Sequence, residues 1–273
     1  MLSVRTYSIY ALILSGDVLP VNANHYSGMS SLSQILTFGM SNVLKIQVAI
    51  NTKLEMTLYL LRYSKNTRIA YLNINSVAGF KFFELKSFIQ ECLFDIVVVS
   101  ETKIDDSFPD SHFYIKGFRM FRKDRNRFGG GLLIYTRRGF IIPRINDLEG
   151  KNVESITLLV RSNNLSKGTL IIGAYKPPNM PKNNWESELN TMLLRSFQRY
   201  NNIVLLGDLN CDLSQPDNCS KEGRALLDLM DGYNLANLIR QPTRVTSTSS
   251  TLIDAILTNK PRSFLVSEVF DLG

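Results

Sequence analysis

Short apolar runs recur from Arg68 to the end of the chain, and each has the length of a buried β-strand. Most of them end in a polar residue, glycine or proline, which marks the point where a chain leaves a sheet. The predicted strands are Ile69–Asn75, Asp95–Glu101, Leu132–Thr136, Val153–Arg161, Leu170–Tyr175, Ile203–Leu206, Leu252–Asn259 and Val266–Phe270.

Between these runs, apolar residues repeat at intervals of three and four positions, which is the period of an amphipathic helix. The pattern predicts helices at Lys81–Leu93, Trp185–Tyr200 and Glu222–Gly232. A strand, a helix and a second strand within residues 69–101 form a βαβ-type opening, so polar residues at the strand ends collect at one edge of the sheet. We therefore predict an α/β fold.

Residues 1–67 differ from the rest, because they are rich in Ser, Asn, Thr and Met and show no strand alternation. We interpret them as an extension outside a domain formed by residues 68–273, with one possible helix at Val43–Leu61. The apolar run Ile9–Leu14 is too short for a membrane span and too close to Asp17 for a secretory signal. We expect a surface or poorly ordered segment there.

The net charge of +7 favours a polyanionic partner, although charge alone does not establish one. Cys92, Cys211 and Cys219 are odd in number and lack metal-binding spacing, which fits a reducing compartment better than a disulfide scaffold. We expect neither a membrane partner nor a small-molecule cofactor.

The stretch Asn202–Asp212 carries the clearest candidate chemistry. Its apolar run leads into Gly207, which has no side chain to obstruct the backbone as it leaves the strand. Asp208 and Asn210 then share one side of extended chain, where a carboxylate and an amide can hold a water molecule and a hard cation. The plain alternative is an Asn/Asp turn after a strand.

Other predicted strands also carry polar or acidic side chains, most of them at the strand end. Asn73 and Asn75 lie at the exit of the first strand, and Glu101 lies at the exit of the second. Tyr175 lies at a strand terminus, because the prolines that follow cannot continue the ladder. Asp254 lies within an otherwise apolar strand, where a carboxylate is costly unless it is paired or bound to a metal.

A basic segment surrounds Gly129–Gly131, and its arginines could neutralise the phosphates of a nucleic acid. A solvated charged face is an equal alternative. The three glycines favour a hairpin turn over a close approach to a ligand. The candidate nucleic-acid-binding residues are Arg122, Arg125, Arg127 and Arg137.

The motifs LNINS, SETKID, GGGLLIY, GAYKPPN, GDLNCD, RQPTR and LIDAILTN, in this order, resemble those of the endonuclease/exonuclease/phosphatase superfamily. Within that superfamily, residues 68–273 are most similar to the endonuclease domain of non-LTR retrotransposon polyproteins. The resemblance implies a four-layered α/β-sandwich of two mixed sheets flanked by helices. It also implies a DNA endonuclease that depends on Mg²⁺ or Mn²⁺, with a nuclear location following from the DNA substrate.

The resemblance assigns the metal to Glu101, which matches the metal-binding glutamate of the superfamily. Asn75 falls where many members carry a second ligand, and an amide is a weaker partner for Mg²⁺ than a carboxylate.

Catalytic roles follow from the same resemblance. Asn73 and Tyr175 match residues that position or hydrogen-bond the phosphate. Asp208 matches the acid that orients or deprotonates the attacking water, and Asn210 matches its neighbour that steadies the phosphate. Asp254 matches the buried acid that supports the far side of the site.

The superfamily closes with a Ser-Asp-His triplet on a final strand, and this sequence reaches Gly273 without it. Neither His25 nor His112 matches that histidine by motif. We therefore expect a truncated domain that lacks its last strand, with an exposed neighbouring edge and weak or absent activity.

Two alternatives stay open. One is a catalytically inactive nucleic-acid-binding remnant, which would bind DNA in a salt-dependent way without cleaving it. The other is an abasic-site nuclease or a phosphatase of the same superfamily.

Overall fold

The structure is a computed structural model that describes residues 8–14, 54–91, 93–140, 142–161, 168–245 and 248–271. The strands of the first sheet are β1 (Ser8–Leu14), β2 (Thr67–Asn73), β3 (Ile96–Ser100), β4 (Phe118–Lys123), β5 (Leu132–Arg137) and β13 (Phe264–Asp271). They stand side by side in the order β13-β1-β2-β3-β5-β4, and β2 and β3 run parallel.

The second sheet packs face to face with the first. Its strands are β6 (Glu154–Val160), β7 (Thr169–Tyr175), β8 (Ile203–Asp208), β9 (Ala236–Asn237) and β12 (Asp254–Thr258). They stand in the order β6-β7-β8-β12-β9, and β7 and β8 run parallel. A separate two-stranded ribbon joins β10 (Arg244–Val245) to β11 (Ser250–Thr251).

Helices cover the outer faces of both sheets. The helical residues 54–61 form α1, which packs with α2 (Phe80–Glu91) on the first sheet. The helices α3 (Lys182–Arg199) and α4 (Lys221–Gly232) pack on the second. The predicted α/β-sandwich of two mixed sheets flanked by helices is therefore confirmed.

Side-chain alternation explains how both faces of the first sheet are buried. Tyr10 and Tyr71 point between the sheets, into a core that they share with β7, β8 and β12. Their neighbours Ile9 and Ala70 point the other way and pack with the helix residue Met56. The sheet thus has a helix-facing side and a side that faces the second sheet.

The strand β1 lies inside the first sheet, where it pairs antiparallel with β2 on one side and with β13 on the other. Residues 9–13 are at most 2% exposed. The expectation of a surface extension is therefore wrong for residues 8–14. An apolar run of seven residues contains no local signal for its pairing partners, which here come from far along the chain.

The strand β2 does not form an exposed edge, because β1 pairs with it on the side away from β3. The helix predicted at Val43–Leu61 is helical over residues 54–61, and its earlier part falls outside the described residues. Its buried residues are Met56 and Leu60. The helical spacing in the sequence rested in part on Leu54, Leu58 and Leu61, but these three side chains are exposed, so the buried face of the helix differs from the expected one.

In the described ranges, no helix combines the length and the hydropathy that a bilayer span needs. Cys211 and Cys219 are free thiols, and Cys92 falls outside the described residues.

Candidate active site

Adjacent strands of the second sheet place four polar residues in one row. Tyr175 on β7 is the register partner of Glu154 on β6 and of Asp208 on β8, and Asp208 is in turn the partner of Asp254 on β12. Neighbouring strands lie about 4.8 Å apart, so these side chains are close neighbours along the row. Three of the predicted catalytic residues are thus brought together by strand pairing alone.

Gly207 is required by this row for a steric reason. A Cβ atom at Gly207 would lie 1.8 Å from the carbonyl oxygen of Ala174 on β7. From the sequence we predicted that the backbone leaves the strand at Gly207. This prediction is wrong, because β8 continues through Asp208. The glycine instead lets β7 and β8 approach closely beside Tyr175 and Asp208.

Asp208 is held by residues of both sheets. The side-chain amide of Asn73, at the end of β2, donates to Asp208 Oδ2 at 3.0 Å. The backbone N–H of Asn210 donates to Asp208 Oδ1 at 2.9 Å, and Asn210 Nδ2 donates to the carbonyl oxygen of Lys176. Both oxygens of the carboxylate therefore have a fixed direction.

Asp254 is held by two tyrosine hydroxyls from the first sheet. Tyr71 donates to Asp254 Oδ1 at 2.9 Å, and Tyr10 donates to Oδ2 at 3.4 Å. The Tyr71 hydroxyl also lies 2.9 Å from Ser100 Oγ. Asp254 is 7% exposed and Asp208 is 2% exposed, so both carboxylates are removed from bulk water.

Burial has a large effect on these two acids. It raises the pKa of Asp208 from 3.8 to about 8, and the charge of Asp254 adds to the increase. Burial also raises the pKa of Asp254 to about 6, although the hydrogen bonds from Tyr71, Thr243 and Tyr10 oppose the change. Both carboxyl groups therefore hold their protons to a higher pH than exposed acids do, and a cation bound beside them would favour their charged forms.

Tyr175 is buried and lies beside the same charges. Burial, followed by the charges of Glu101 and Asp208, raises the pKa of Tyr175 above its ordinary value. The hydroxyl therefore stays protonated near neutral pH and is available to donate a hydrogen bond to an anion.

The loops after β2 and β3 supply the predicted metal ligands. Asn75, Glu101 and Lys103 adopt left-handed backbone conformations, with φ values of 47°, 52° and 53°. The loops are joined by a hydrogen bond of 2.7 Å from the N–H of Ser76 to the carbonyl oxygen of Glu101. Such conformations are uncommon outside glycine and concentrate at functional sites.

Lys103 links the two predicted ligands. Its Nζ lies 3.5 Å from Glu101 Oε2 and forms a hydrogen bond to Asn75 Oδ1. The N–H of Asn75 in turn bonds Asn73 Oδ1 at 3.1 Å, which connects this pair to the Asp208 cluster.

The donor set fits a hard divalent cation. The side chains that converge here offer carboxylate and amide oxygens, which suit Mg²⁺ or Mn²⁺, whereas zinc sites are usually built from cysteine and histidine. The described residues contain no group of three or more His, Cys, Asp or Glu arranged to hold a metal. Mg²⁺ retains several waters and needs few protein ligands, so a donor set as small as Glu101 and Asn75 is compatible with this ion.

The candidate nucleic-acid-binding arginines differ in how much they are engaged within the chain. Arg122 bonds Asp110, Asp124 and two backbone carbonyls, and Arg137 bonds Asp95 and the carbonyl of Phe94. Because their donors are engaged within the chain, Arg122 and Arg137 have a structural role. Arg125, 39% exposed, pairs with Glu154 beside Tyr175, and Arg127, 57% exposed, pairs with Asp105.

Sequence reasoning missed several residues of the site. Tyr71 had a usable signal, because it lies two positions before Asn73 on the same strand face. Lys103 lies within the quoted SETKID motif, but its contact with Asn75 is visible only in the structure. Tyr10 and Glu154 had no local signal at all.

A family model described as endonuclease-reverse transcriptase matches residues 169–270, which contain Tyr175, Asp208, Asn210 and Asp254. No curated protein sequence matches the chain.

Several solved structures share the fold. One is the endonuclease domain of TRAS1, a telomere-specific non-LTR retrotransposon, with 12% identity, a TM-score of 0.52, and coverage of 69% of this chain and 83% of that one. A 3′-5′ exonuclease from Neisseria meningitidis has 17% identity, a TM-score of 0.54, and coverage of 71% and 86%. An AP endonuclease from Archaeoglobus fulgidus has 19% identity, a TM-score of 0.53, and coverage of 71% and 87%.

These likenesses agree with the motifs read from the sequence. The chain therefore has the fold of the endonuclease/exonuclease/phosphatase superfamily, and its residues 169–270 carry the sequence pattern of the endonuclease-reverse transcriptase family.

Proposed function

We propose that this chain is a divalent-metal-dependent DNA endonuclease of the retrotransposon type, which hydrolyses phosphodiester bonds. The observation that carries the proposal is the contact across the two sheets, in which Asn73 holds Asp208 next to a second buried acid, Asp254. The match of residues 169–270 to the endonuclease-reverse transcriptase family supports the same assignment.

Glu101 and Asn75 are the residues that would hold the metal ion. When bound, the ion supplies charge stabilisation at the phosphate oxygens, where negative charge develops during cleavage. Proton transfer, phosphate binding and positioning are assigned to side chains of the protein.

Asp208 is the general base in this proposal. Its two oxygens are oriented by Asn73 and by the backbone N–H of Asn210, so it can receive a proton from a water molecule in a defined direction. A raised pKa suits this role, because a base is most effective when its pKa lies near the working pH.

Tyr175 and Arg125 are the proposed contacts to the scissile phosphate. Tyr175 keeps its proton and can donate a hydrogen bond to a phosphate oxygen. Arg125 is placed beside it through an ion pair of 3.2 Å with Glu154, the register partner of Tyr175. An arginine held by a carboxylate offers its remaining donors in a fixed direction.

Asp254 acts as a positioning acid in this proposal. It is register partner to Asp208 and is itself fixed by Tyr71, so its charge helps to retain the proton that Asp208 receives.

Nicking of supercoiled plasmid tests the proposal directly. We expect weak nicking with Mg²⁺ or Mn²⁺, its loss in EDTA, and a further reduction of roughly a hundredfold or more in Asp208→Asn and Glu101→Gln. Asp228→Asn, at an exposed position of α4, is the matched control and should retain the wild-type rate. Nicking that persists unchanged in Asp208→Asn would refute the assignment.

Substrate comparison separates the proposal from its alternatives. The same preparation is assayed on plain duplex, on abasic duplex and on duplex with a 3′ phosphate. Preferential turnover of either modified duplex would point to a repair nuclease or phosphatase. Salt-dependent retention of DNA with no turnover of any of the three would point to a binding protein.

A further inference from the structure

The Lys103 ammonium lies between the two residues that the proposed function gives to the metal. It is 3.5 Å from Glu101 Oε2 and hydrogen-bonded to Asn75 Oδ1. Lys103 and Glu101 are only 23% and 20% exposed, so water screens this interaction incompletely.

The backbone holds Lys103 at this place. Its N–H donates to the carbonyl oxygen of Gly130 at 2.9 Å, and the preceding residue, Thr102, donates to the carbonyl of Gly131. The left-handed conformations of Glu101 and Lys103 are kept by these contacts on either side. The base of the lysine is therefore fixed, while its long side chain retains rotatable bonds that allow its ammonium to move.

We propose that the Lys103 ammonium takes the place of the divalent cation between Glu101 and Asn75 in the metal-free chain. This inference rests on the proposed metal-dependent function. The cation then binds only when it displaces the ammonium. An Mg²⁺ ion approaches its oxygen ligands to about 2.1 Å, so an ammonium held at the same oxygens of Glu101 and Asn75 would lie against a like charge.

This arrangement has two consequences. The ammonium keeps the ligand side chains oriented toward one another when no metal is bound, because it satisfies oxygens that would otherwise repel. It also lowers the affinity for the metal, since the entering cation has to overcome the attraction between Lys103 and Glu101 and the repulsion of a like charge. A divalent ion carries twice the charge of the ammonium, so the metal remains favoured at sufficient concentration.

The affinity of the chain for Mn²⁺ in the absence of DNA tests this inference. Binding is measured as the loss of the free Mn²⁺ signal in electron paramagnetic resonance. We expect Lys103→Met to bind Mn²⁺ roughly tenfold more tightly than the wild type. Lys103→Gln is the second neutral variant and can keep a hydrogen bond to Asn75, so it serves if the methionine variant does not fold. Lys103→Arg keeps the charge and should stay near the wild-type affinity.

Lys116→Met is the control for net charge, because Lys116 is exposed and precedes β4 at the end of the sheet opposite Glu101. It should leave Mn²⁺ affinity unchanged. If Glu101→Gln abolishes Mn²⁺ binding but neither neutral Lys103 variant strengthens it, the inference is overturned and the proposed metal site stands. If Glu101→Gln leaves binding unchanged, the proposed metal site and the inference fail together.

Discussion

The hydroxyl of Tyr10 lies 3.4 Å from Oδ2 of Asp254, although 244 positions separate the two residues in the chain. Tyr10 belongs to the first described strand, and Asp254 to the row of polar residues at the site. The strand β1 therefore supports the candidate active site as well as forming part of the sheet.

Tyr71→Phe and Tyr10→Phe should affect the site to different extents. Tyr71 donates to Asp254 at 2.9 Å and Tyr10 at 3.4 Å, and a hydrogen bond to a charged group is worth about 1.5–3 kcal/mol. We expect nicking to fall roughly tenfold or more in Tyr71→Phe and less in Tyr10→Phe. In both variants the pKa of Asp254 should rise further, which a shifted pH–rate profile would report. Equal losses with unshifted profiles would count against this positioning role.

Removal of residues 1–14 should destabilise the whole domain. The deletion would expose backbone groups of β2 and β13, both of which pair with β1. We expect aggregation or loss of the cooperative thermal transition, measured by circular dichroism. Removal of residues 1–7 leaves the strand intact and is the control. A 1–14 deletion that unfolds at the same temperature as the full chain would show that β1 is dispensable.

Stability of the metal-free chain should fall as the pH rises from about 4 to about 8. The pKa values of Asp208 and Asp254 are raised to about 8 and about 6 in the folded chain, which therefore binds more protons than the unfolded chain in this window. The stabilisation is present at low pH and is lost as the pH passes each folded pKa. Thermal unfolding in EDTA at a series of pH values measures the effect.

The variant Asp254→Asn tests how much the charge of Asp254 contributes to this pH dependence of stability. The amide can accept from Tyr71 and donate to the Tyr10 oxygen, but it carries no charge to bury. We expect the variant to unfold at a higher temperature than the wild type at pH 8 and the difference to shrink toward pH 4, since a tenfold change in proton affinity is worth about 1.4 kcal/mol. A difference that does not vary with pH would contradict the assigned cause.

Gly207→Ala should disrupt the row of site residues. The added Cβ would meet the Ala174 carbonyl oxygen at 1.8 Å, and a backbone atom cannot rotate away. We expect a loss of about 3 kcal/mol or more in the free energy of unfolding, together with loss of nicking. Gly232→Ala is the control, because nothing lies within 4 Å of its added Cβ. Wild-type stability in Gly207→Ala would mean that β7 and β8 can separate without cost.

Arg125→Ala should weaken DNA binding at all sequences and reduce the slope of log affinity against log salt concentration by about 1. Arg125 is more exposed than Arg122 and Arg137, whose donors are engaged within the chain. Arg137→Ala should instead lower the unfolding temperature, because it leaves the fully buried Asp95 with one partner fewer. Salt titrations of DNA binding, with thermal unfolding of both variants, distinguish the two roles. An unchanged salt slope in Arg125→Ala would exclude it from the interface.

Local pattern was sufficient for most of the architecture. The apolar runs and the three- and four-residue repeats predicted the three helices and eight of the strands of residues 68–273, because burial on a strand or helix face imposes a period on the sequence. They missed β4, a largely half-buried strand that was read only as a basic segment, and the two-residue strands β9, β10 and β11. The polar residues at strand ends could be named for the same reason. Asn73, Tyr175, Asp208 and Asp254 each interrupt or end an apolar run, and the structure brings them together.

The sequence by itself determined which residues lie at the ends of strands and which motifs they form. Only the tertiary structure decided that β1 completes the sheet, that Tyr10 reaches Asp254, and that Lys103 joins Glu101 to Asn75. The physical reason is that periodicity records whether a residue is buried, whereas the identity of its neighbour depends on strand pairing between segments distant in the chain.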